Sequence, residues 1–330
     1  MTAVEQPRHV VRATPERVEE ALSALLGAGP AAAARFARQA ETAKVAIDRI
    51  WCVADEMGRY RMAVLAVPTL GRTAMLLATH ARNSGEAALL GRAVAAAADG
   101  CTDSADIAQA LIEPSKPFDI EAFEVGGLKQ LATLDYLERA MPRGGVLDAP
   151  PPPAGWTIES ATDAAILRGD DAHALGEPAR AELIAVLEAS YQQTRDCPGL
   201  AGLRRTTDVL DGHFGLGARL RFWLVARESG TARGVCLMNC SADGATAELV
   251  YLGLAPAARG RGIAKILLAA GLRACSLARV GSVSLAVDSH NEPARKLYET
   301  SGFRRTSSRV ALVRPLVHPL VRPLVDPTRG

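Results

Sequence analysis

Residues 247–264, Ala-Glu-Leu-Val-Tyr-Leu-Gly-Leu-Ala-Pro-Ala-Ala-Arg-Gly-Arg-Gly-Ile-Ala, decide the fold of this chain. The apolar run from Leu249 to Leu254 predicts a buried strand, which ends in a turn at Pro256. A short loop follows, and the apolar run 265–272 then predicts a helix. The first N–H groups of a helix have no partner within it, and the helix dipole favours negative charge there. The stretch therefore predicts a site for a phosphate at the start of the helix.

The loop before this helix has the spacing Arg259-x-x-Gly262-x-Ala264. Gly260 and Gly262 leave room for a phosphate to approach the backbone, and Arg259 and Arg261 add positive charge beside it. The loop lacks the Lys-Ser/Thr of a Walker A motif and differs from the dinucleotide pattern G-x-G-x-x-G. It resembles motif A of the GNAT acetyltransferases, although an isolated glycine-rich loop of this kind also serves simply to begin a helix.

A second stretch, residues 283–303, resembles motif B of the same family. An alternating strand precedes Asn-x-x-Ala-x-x-x-Tyr, here Asn291, Ala294 and Tyr298, and Gly302-Phe303 closes the pattern. With both motifs in family order, the chain is identified as a member of the GNAT superfamily. The resemblance implies an α/β fold, a mixed sheet covered by helices, with acetyl-CoA as co-substrate and no metal.

A proline- and glycine-rich stretch, residues 142–155, predicts a linker between two halves. We expect a catalytic GNAT domain over 156–314, a degenerate GNAT-like domain over 1–141, and a flexible proline-rich tail over 315–330, whose tetrapeptide repeat disfavours helix. This tandem arrangement resembles that of the mycothiol synthase branch of the family, although the shared motifs are too general to assign a substrate.

The first half repeats the second with a shift of 175 residues. Under this shift Gly302-Phe303 falls on Gly127-Leu128, and Tyr298 falls on Phe123. The phosphate loop falls near residues 83–89, where Gly85 is the only glycine. The first half is thus predicted to keep the fold and to lose the chemistry, with a second active site as the alternative.

Composition and charge argue against several other classes of protein, including nucleic-acid-binding, metal-binding and membrane proteins. A net charge of +2 gives no sign of nucleic-acid binding. The six cysteines are scattered without C-x-x-C pairs, which favours reduced structural thiols over a metal site. The alanine-rich stretch 21–40 is interrupted by glycine, proline and arginine, so it cannot span a bilayer. No signal-peptide pattern is evident, and we expect a cytoplasmic protein without membrane or nucleic-acid partners.

The resemblance also implies roles for individual residues in cofactor binding. The CoA pyrophosphate would lie on the backbone N–H groups of Arg259, Gly260, Arg261, Gly262, Ile263 and Ala264. The amide-rich pantetheine arm would pair, like an added strand, with the backbone of Leu252, Gly253 and Leu254. Asn291 would contact the CoA arm, with a simple N-cap of the following helix as the alternative.

Glu248 is the candidate general base, because the family's histone-acetyltransferase branch carries its base at this motif position. Even spacing along one strand would place Glu248 and Leu254 on the same face. A solvent-facing glutamate and a base acting through water are the alternatives. Tyr298 is the candidate acid for the departing thiolate, and an amphipathic tyrosine packed on the sheet is its alternative.

The acceptor is an amine of a small molecule or a peptide that the sequence does not identify. In the family it approaches near the first helices, here the segment 191–198, together with Arg204 and Arg205. The oligomeric state is left open. The alternative to an N-acetyltransferase is a non-enzymatic acyl-CoA-binding or scaffold protein on the same fold.

Overall fold

The structure, a computed structural model, describes residues 9–142, 144–161, 175–214, 218–241 and 243–316. Most of the predicted tail, from residue 317 on, lies outside this range. The described chain divides into two compact units. Of the described residues, unit 1 takes those within 9–131, 199–205 and 310–316, and unit 2 takes those within 132–198 and 206–309. The predicted domains follow the repeated order of elements in the sequence, whereas the two units group residues that contact one another. The two divisions answer different questions, so the predicted domain boundaries stay a prediction.

Unit 1 is a mixed sheet between two helical layers. Its strands lie in the order β1-β2-β3-β4-β5-β12, and only β4 and β5 pair in parallel. The elements are β1 His9–Arg12, α1 Val18–Leu26, α2 Pro30–Thr42, β2 Ile50–Ala54, β3 Tyr60–Pro68, β4 Thr73–Ala78, α3 Ser84–Asp99, β5 Ile107–Ile112, α4 Pro117–Val125 and the second half of β12 Arg304–Pro315. Helices α1 and α2 pack on one face of the sheet, and α3 and α4 on the other.

Unit 2 has the same design. Its strands lie in the order β6-β11-β10-β9-β8-β7, and only β10 and β11 pair in parallel. The elements are β6 Lys129–Ala140, β7 Trp156–Ser160, α5 Glu177–Tyr191, α6 Thr206–Phe214, β8 Ala218–Glu228, β9 Thr231–Cys240, β10 Thr246–Leu254, α7 Ile263–Leu277, β11 Ser282–Asp288 and α8 Glu292–Thr300. Helices α5 and α6 cover one face, and α7 and α8 the other.

Alternation along the strands explains why each sheet has two apolar faces. On β9, Val235 and Leu237 are buried under α5 and α6, whereas Cys236 and Met238 are buried under α7. Successive side chains of a strand point to opposite faces, so an apolar run of this kind is buried on both sides. The mixed sheet covered by helices agrees with the predicted fold class. Among the described helices, none combines the length and apolar character that crossing a bilayer requires.

Each unit takes its last strand from the other half of the sequence. In unit 1, β5 pairs antiparallel with Val310–Pro315 of β12. In unit 2, β11 pairs antiparallel with Leu134–Ala140 of β6. The C-terminal strands of the two repeats are therefore exchanged between the units.

Candidate functional site

The candidate site lies in unit 2, where two parallel strands separate. β10 and β11 pair over Thr246–Leu249 and Ser282–Leu285, and beyond this point they no longer share hydrogen bonds. The edge of β10 that faces β11 therefore has no strand partner over residues 250–254. A cleft of about 430 Å³ opens between the separated strand ends. Its walls come from β10, β11, the loop after α5, the loop before α7, and α8.

A β-bulge in β10 changes which side chains share a face. The register of β10 against β9 shifts between Leu249 and Tyr251, which inserts one extra residue. Before the bulge Leu249 packs under α7, and after it Leu254 does so, while Glu248 points to the opposite face. The expectation that Glu248 and Leu254 share a face is therefore wrong, because the inserted residue breaks the even spacing.

The predicted phosphate loop forms the entrance to α7. Gly260 and Gly262 have φ of +73° and +78°, and Gly262 is the N-cap of the helix. Within the described chain, the N–H groups of residues 260–264 have no protein acceptor. A Cβ on either glycine would meet no atom within 4 Å, so open space adjoins these donors. The N–H of Arg259 is the exception, because it donates to the carbonyl of Pro256 at 3.2 Å.

The two arginine side chains of this loop are held by protein groups rather than aimed at a phosphate. Arg259 donates to the carbonyls of Ser190 and Gln192 at 2.8 and 2.7 Å, and to that of Leu254 at 3.1 Å. It thereby caps the last carbonyls of α5. Arg261 forms an ion pair with Glu228 at 2.8 Å. The backbone, and not these guanidinium groups, supplies the donors of the loop.

Tyr298 lies in the wall of the cleft on α8 and is 7% exposed. Its ring packs edge-on against Phe303, at 5.9 Å between centroids. Burial raises the pKa of the Tyr298 phenol, and the nearby carboxylate of Asp196 acts in the same direction. The phenol therefore keeps its proton at neutral pH and can donate a hydrogen bond into the cleft.

Tyr251 lies across the cleft on β10, with its hydroxyl 2.8 Å from the hydroxyl of Ser190. Burial raises the pKa of Tyr251 to about 12. A Cβ on Gly253 would lie 2.5 Å from the Tyr251 ring and 2.9 Å from the Ser190 hydroxyl. Position 253 therefore has to be glycine for the backbone of β10 to pass so close to this pair.

Glu248 lies just before the bulge and is exposed to solvent. Crowding by protein atoms still raises the pKa of its carboxyl above the usual value of 4.5. Its negative charge also helps to raise the pKa of Tyr136 on β6, after burial as the larger cause. Glu248 is near the point where β10 and β11 separate, but it is not among the residues that line the cleft.

Asn291 begins α8 and also lines the cleft. It is the N-cap of α8, where its side-chain oxygen accepts the N–H of Ala294 at 3.4 Å. Of the cysteines, Cys236 and Cys240 are buried among apolar side chains, and burial raises the pKa of the Cys236 thiol. Within the described residues, no group of three or more metal-ligating side chains comes together.

Sequence reasoning did not single out Asp196, which lines the cleft in the loop after α5. One carboxylate oxygen, Oδ1, accepts the N–H of Asp288 at 3.2 Å, at the end of β11. Burial raises the pKa of Asp196, and the Asp288 carboxylate adds to this effect. The only signal in the sequence was an acidic residue in the loop where the family receives its acceptor.

The equivalent place in unit 1 has different side chains from the cleft of unit 2. At the start of α3, the side chain of Asn83 accepts the N–H of Glu86 at 2.9 Å, and Glu86 occupies the first turn. Further along the same helix, a Cβ on Gly91 of α3 would lie 2.5 Å from the Val125 side chain of α4. The tyrosine position holds Phe123, which is 1% exposed. At this place in unit 1 a side chain therefore caps the start of the helix, and the tyrosine position carries no hydroxyl.

Comparison with known proteins agrees with this geometry. Residues 187–303 match the model of the acetyltransferase (GNAT) family. A mycothiol acetyltransferase of Acidothermus cellulolyticus is 40% identical over 67 residues, which cover 20% of this chain and 20% of that protein. A mycothiol acetyltransferase of Beutenbergia cavernae is 37% identical over 81 residues, which cover 24% of this chain and 27% of that protein. The matched stretch thus spans less than a third of either relative.

Two solved structures extend the likeness to the whole fold. A GCN5-related N-acetyltransferase of Sphaerobacter thermophilus has a TM-score of 0.59 at 18% identity, covering 94% of this chain and 97% of that chain. A tandem GNAT protein from the clavulanic acid biosynthesis pathway has a TM-score of 0.53 at 17% identity, covering 94% of this chain and 99% of that chain. At these identities the likeness shows a tandem GNAT fold and nothing about the substrate.

Proposed function

Since residues 187–303 belong to the acetyltransferase (GNAT) family, we propose that the chain is an N-acetyltransferase. It transfers an acetyl group from acetyl-CoA directly to a primary amine, with its active site in the cleft of unit 2. The observation that carries this proposal is the continuity of the cleft, which extends from the glycine loop at Gly260 to the buried phenol of Tyr298.

The groups along the cleft fit the parts of acetyl-CoA in order. The N–H groups of residues 260–264 and the adjoining open space suit the pyrophosphate. The unpaired edge of β10 over residues 250–254 suits the amides of pantetheine, which would add to it like a strand. Asn291 lines the same path. The thioester would then lie between Tyr251 and Tyr298, at the inner end.

The chemistry of the transfer needs one base and one proton donor. An ammonium acceptor loses a proton to Glu248, directly or through water, because only the free amine is a nucleophile. The amine nitrogen then bonds to the thioester carbon, the C–S bond breaks, and the electron pair stays on sulfur. Tyr298 donates its proton to this thiolate. The nitrogen releases its second proton as the amide forms, and this proton passes through water to the Tyr298 phenolate, while the proton taken by Glu248 returns to solvent.

The acceptor is proposed only as a class, an amine of a small molecule or a peptide. Both relatives are named for mycothiol, but the matched stretches cover less than a third of either protein. They therefore support an acetyltransferase more strongly than a particular acceptor. A cytoplasmic location belongs to the same proposal and rests on composition.

Calorimetric titration of the full chain with acetyl-CoA tests the proposed function. We expect saturable binding with one site per chain, because the loop of unit 2 has free N–H groups, whereas in unit 1 Asn83 caps the corresponding helix and Phe123 takes the place of the tyrosine. Two sites per chain would contradict the assignment of unit 1. Absence of binding would contradict the proposed function itself.

Glu248→Gln should lower kcat/KM about 100-fold, the low end for general base catalysis, because water can reach this exposed position and partly replace the carboxylate. In the wild type, kcat/KM should rise with pH through the pKa of Glu248, since the base acts only when deprotonated. Because that pKa is raised, this rise should lie above pH 4.5. The variant should lack it, and an unchanged pH profile would exclude Glu248 as the base.

Tyr298→Phe should lower kcat about 10-fold and leave the affinity for acetyl-CoA unchanged. The effect falls below the usual range for acid catalysis because a thiolate is a good leaving group even without protonation. Steady-state kinetics and calorimetry together check this prediction. Tyr60→Phe, which removes a tyrosine hydroxyl in unit 1, is the control and should change neither quantity.

A further inference from the structure

Asp196 lies in a loop whose backbone is held in an uncommon conformation. The flanking residues Gln193 and Cys197 have φ of +55° and +43°, in the left-handed region that non-glycine residues seldom adopt. The hydroxyl of Thr194 accepts the N–H of Asp196 at 3.1 Å and closes the turn between them. Strain of this kind concentrates at functional sites, where surrounding contacts hold it in place.

A reciprocal pair of hydrogen bonds fixes the loop against the end of β11. Oδ1 of Asp196 accepts the N–H of Asp288 at 3.2 Å, and Oδ2 of Asp288 accepts the N–H of Cys197 at 3.3 Å. Asp196 is therefore oriented by the strand that forms one wall of the cleft. Its second oxygen, Oδ2, has no protein donor among the described residues, and the residue is exposed to solvent.

Among the described residues, the carboxylate of Asp196 forms no ion pair. Its electrostatic neighbours are the phenols of Tyr251 and Tyr298, the thiol of Cys197 and the carboxylate of Asp288. None of these groups carries a positive charge. Two guanidinium groups line the same cleft: that of Arg259 donates to backbone carbonyls, and that of Arg195 forms no ion pair with Asp196. His290 pairs with Asp288 and not with Asp196. A cation from outside the protein would be favoured at this point.

We propose that Asp196 binds the protonated amine of the acceptor at the thioester end of the cleft. This inference rests on the proposed function and deepens it: the acceptor arrives as an ammonium ion, and Oδ2 of Asp196 accepts one of its N–H bonds beside Tyr298. Glu248, outside the lining of the cleft, then receives the proton that makes the amine reactive. An uncharged acceptor, such as an alcohol, would lose this contact.

The test uses two CoA thioethers, so that it does not depend on knowing the acceptor. S-(2-aminoethyl)-CoA places an ammonium, protonated at pH 7 like other alkyl amines, beside the position of the thioester carbon. S-propyl-CoA has the same length and no charge. Calorimetry on the full-length wild type should give about 10-fold tighter binding of the aminoethyl compound, as expected for a hydrogen bond between charged groups.

The Asp196→Asn protein should bind the aminoethyl and propyl compounds with about equal affinity. It should bind acetyl-CoA as tightly as the wild type does. Asparagine keeps an oxygen that can accept the Asp288 N–H, so the loop should hold its position. Asp148→Asn removes the same charge from an exposed position in the linker and should keep the 10-fold preference. A wild type without preference, or a variant that retains it, would overturn the inference while the proposed function stands. If acetyl-CoA itself fails to bind, both fall together.

Discussion

Acetyl-CoA should bind the Gly262→Glu protein at least about 1000-fold more weakly than the wild type, a loss of about 4 kcal/mol in binding free energy. The glutamate would put negative charge at the N-terminus of α7, where the pyrophosphate is proposed to lie. Its side chain would also fill the open space beside Gly262, where a Cβ now meets no atom within 4 Å. Calorimetric titration with acetyl-CoA measures the effect.

Gly262→Glu also forces a side chain onto a residue with φ of +78°, which destabilises the fold itself by about 1–2 kcal/mol. Gly244→Glu is the matched control. Gly244 lies in the turn between β9 and β10 with φ of +72°, and a Cβ there also meets no atom within 4 Å. It should show a similar loss of stability with normal acetyl-CoA affinity. Equal affinity in both variants would contradict the assignment of the phosphate loop.

The elements of the site could be predicted from local sequence because each depends on residues close together in the chain. The strand predicted to end at Leu254 and the helix predicted from residue 265 lie where the structure has β10 and α7. The cap at Asn291 also follows from a local pattern, a polar side chain just before Glu292-Pro293.

What could not be predicted depends on contacts between distant segments. The bulge after Leu249 leaves no mark in a run of apolar residues, so the face of Glu248 was assigned wrongly. Arg259 looked like a phosphate ligand because its partners, the last carbonyls of α5, lie nearly seventy residues earlier in the chain. The place of Asp196 in the cleft could not be predicted either, because it depends on how the loop after α5 packs against the end of β11.

The exchange of C-terminal strands also depends on contacts between distant segments, so it could not be predicted from the sequence. A second prediction with a large expected effect follows from it. Leu137 on β6 and Leu312 on β12 occupy equivalent positions of the two repeats, 175 residues apart. Leu137 is 3% exposed and belongs to the core of unit 2, and Leu312 is 0% exposed and belongs to the core of unit 1. Each is thus buried in the unit built mainly from the other repeat.

Leu312→Ala should destabilise unit 1, and Leu137→Ala should destabilise unit 2, each by about 2–5 kcal/mol, as is usual when a buried leucine is truncated. Amide hydrogen exchange on the full chain distinguishes the two. Leu312→Ala should speed exchange in β5, which pairs with β12, while Leu137→Ala should speed exchange in β11, which pairs with β6. The two variants serve as controls for each other, since they make the same change at equivalent positions.

The opposite pattern, with faster exchange in β11 for Leu312→Ala and in β5 for Leu137→Ala, would mean that each repeat folds on its own strands. The exchanged arrangement also gives the first repeat a structural role in unit 2. Unit 2 takes Leu134–Ala140 from the first repeat to complete the sheet beside β11, and the end of β11 carries Asp288, which orients Asp196. A chain lacking the first repeat would therefore lose a strand that supports one wall of the cleft.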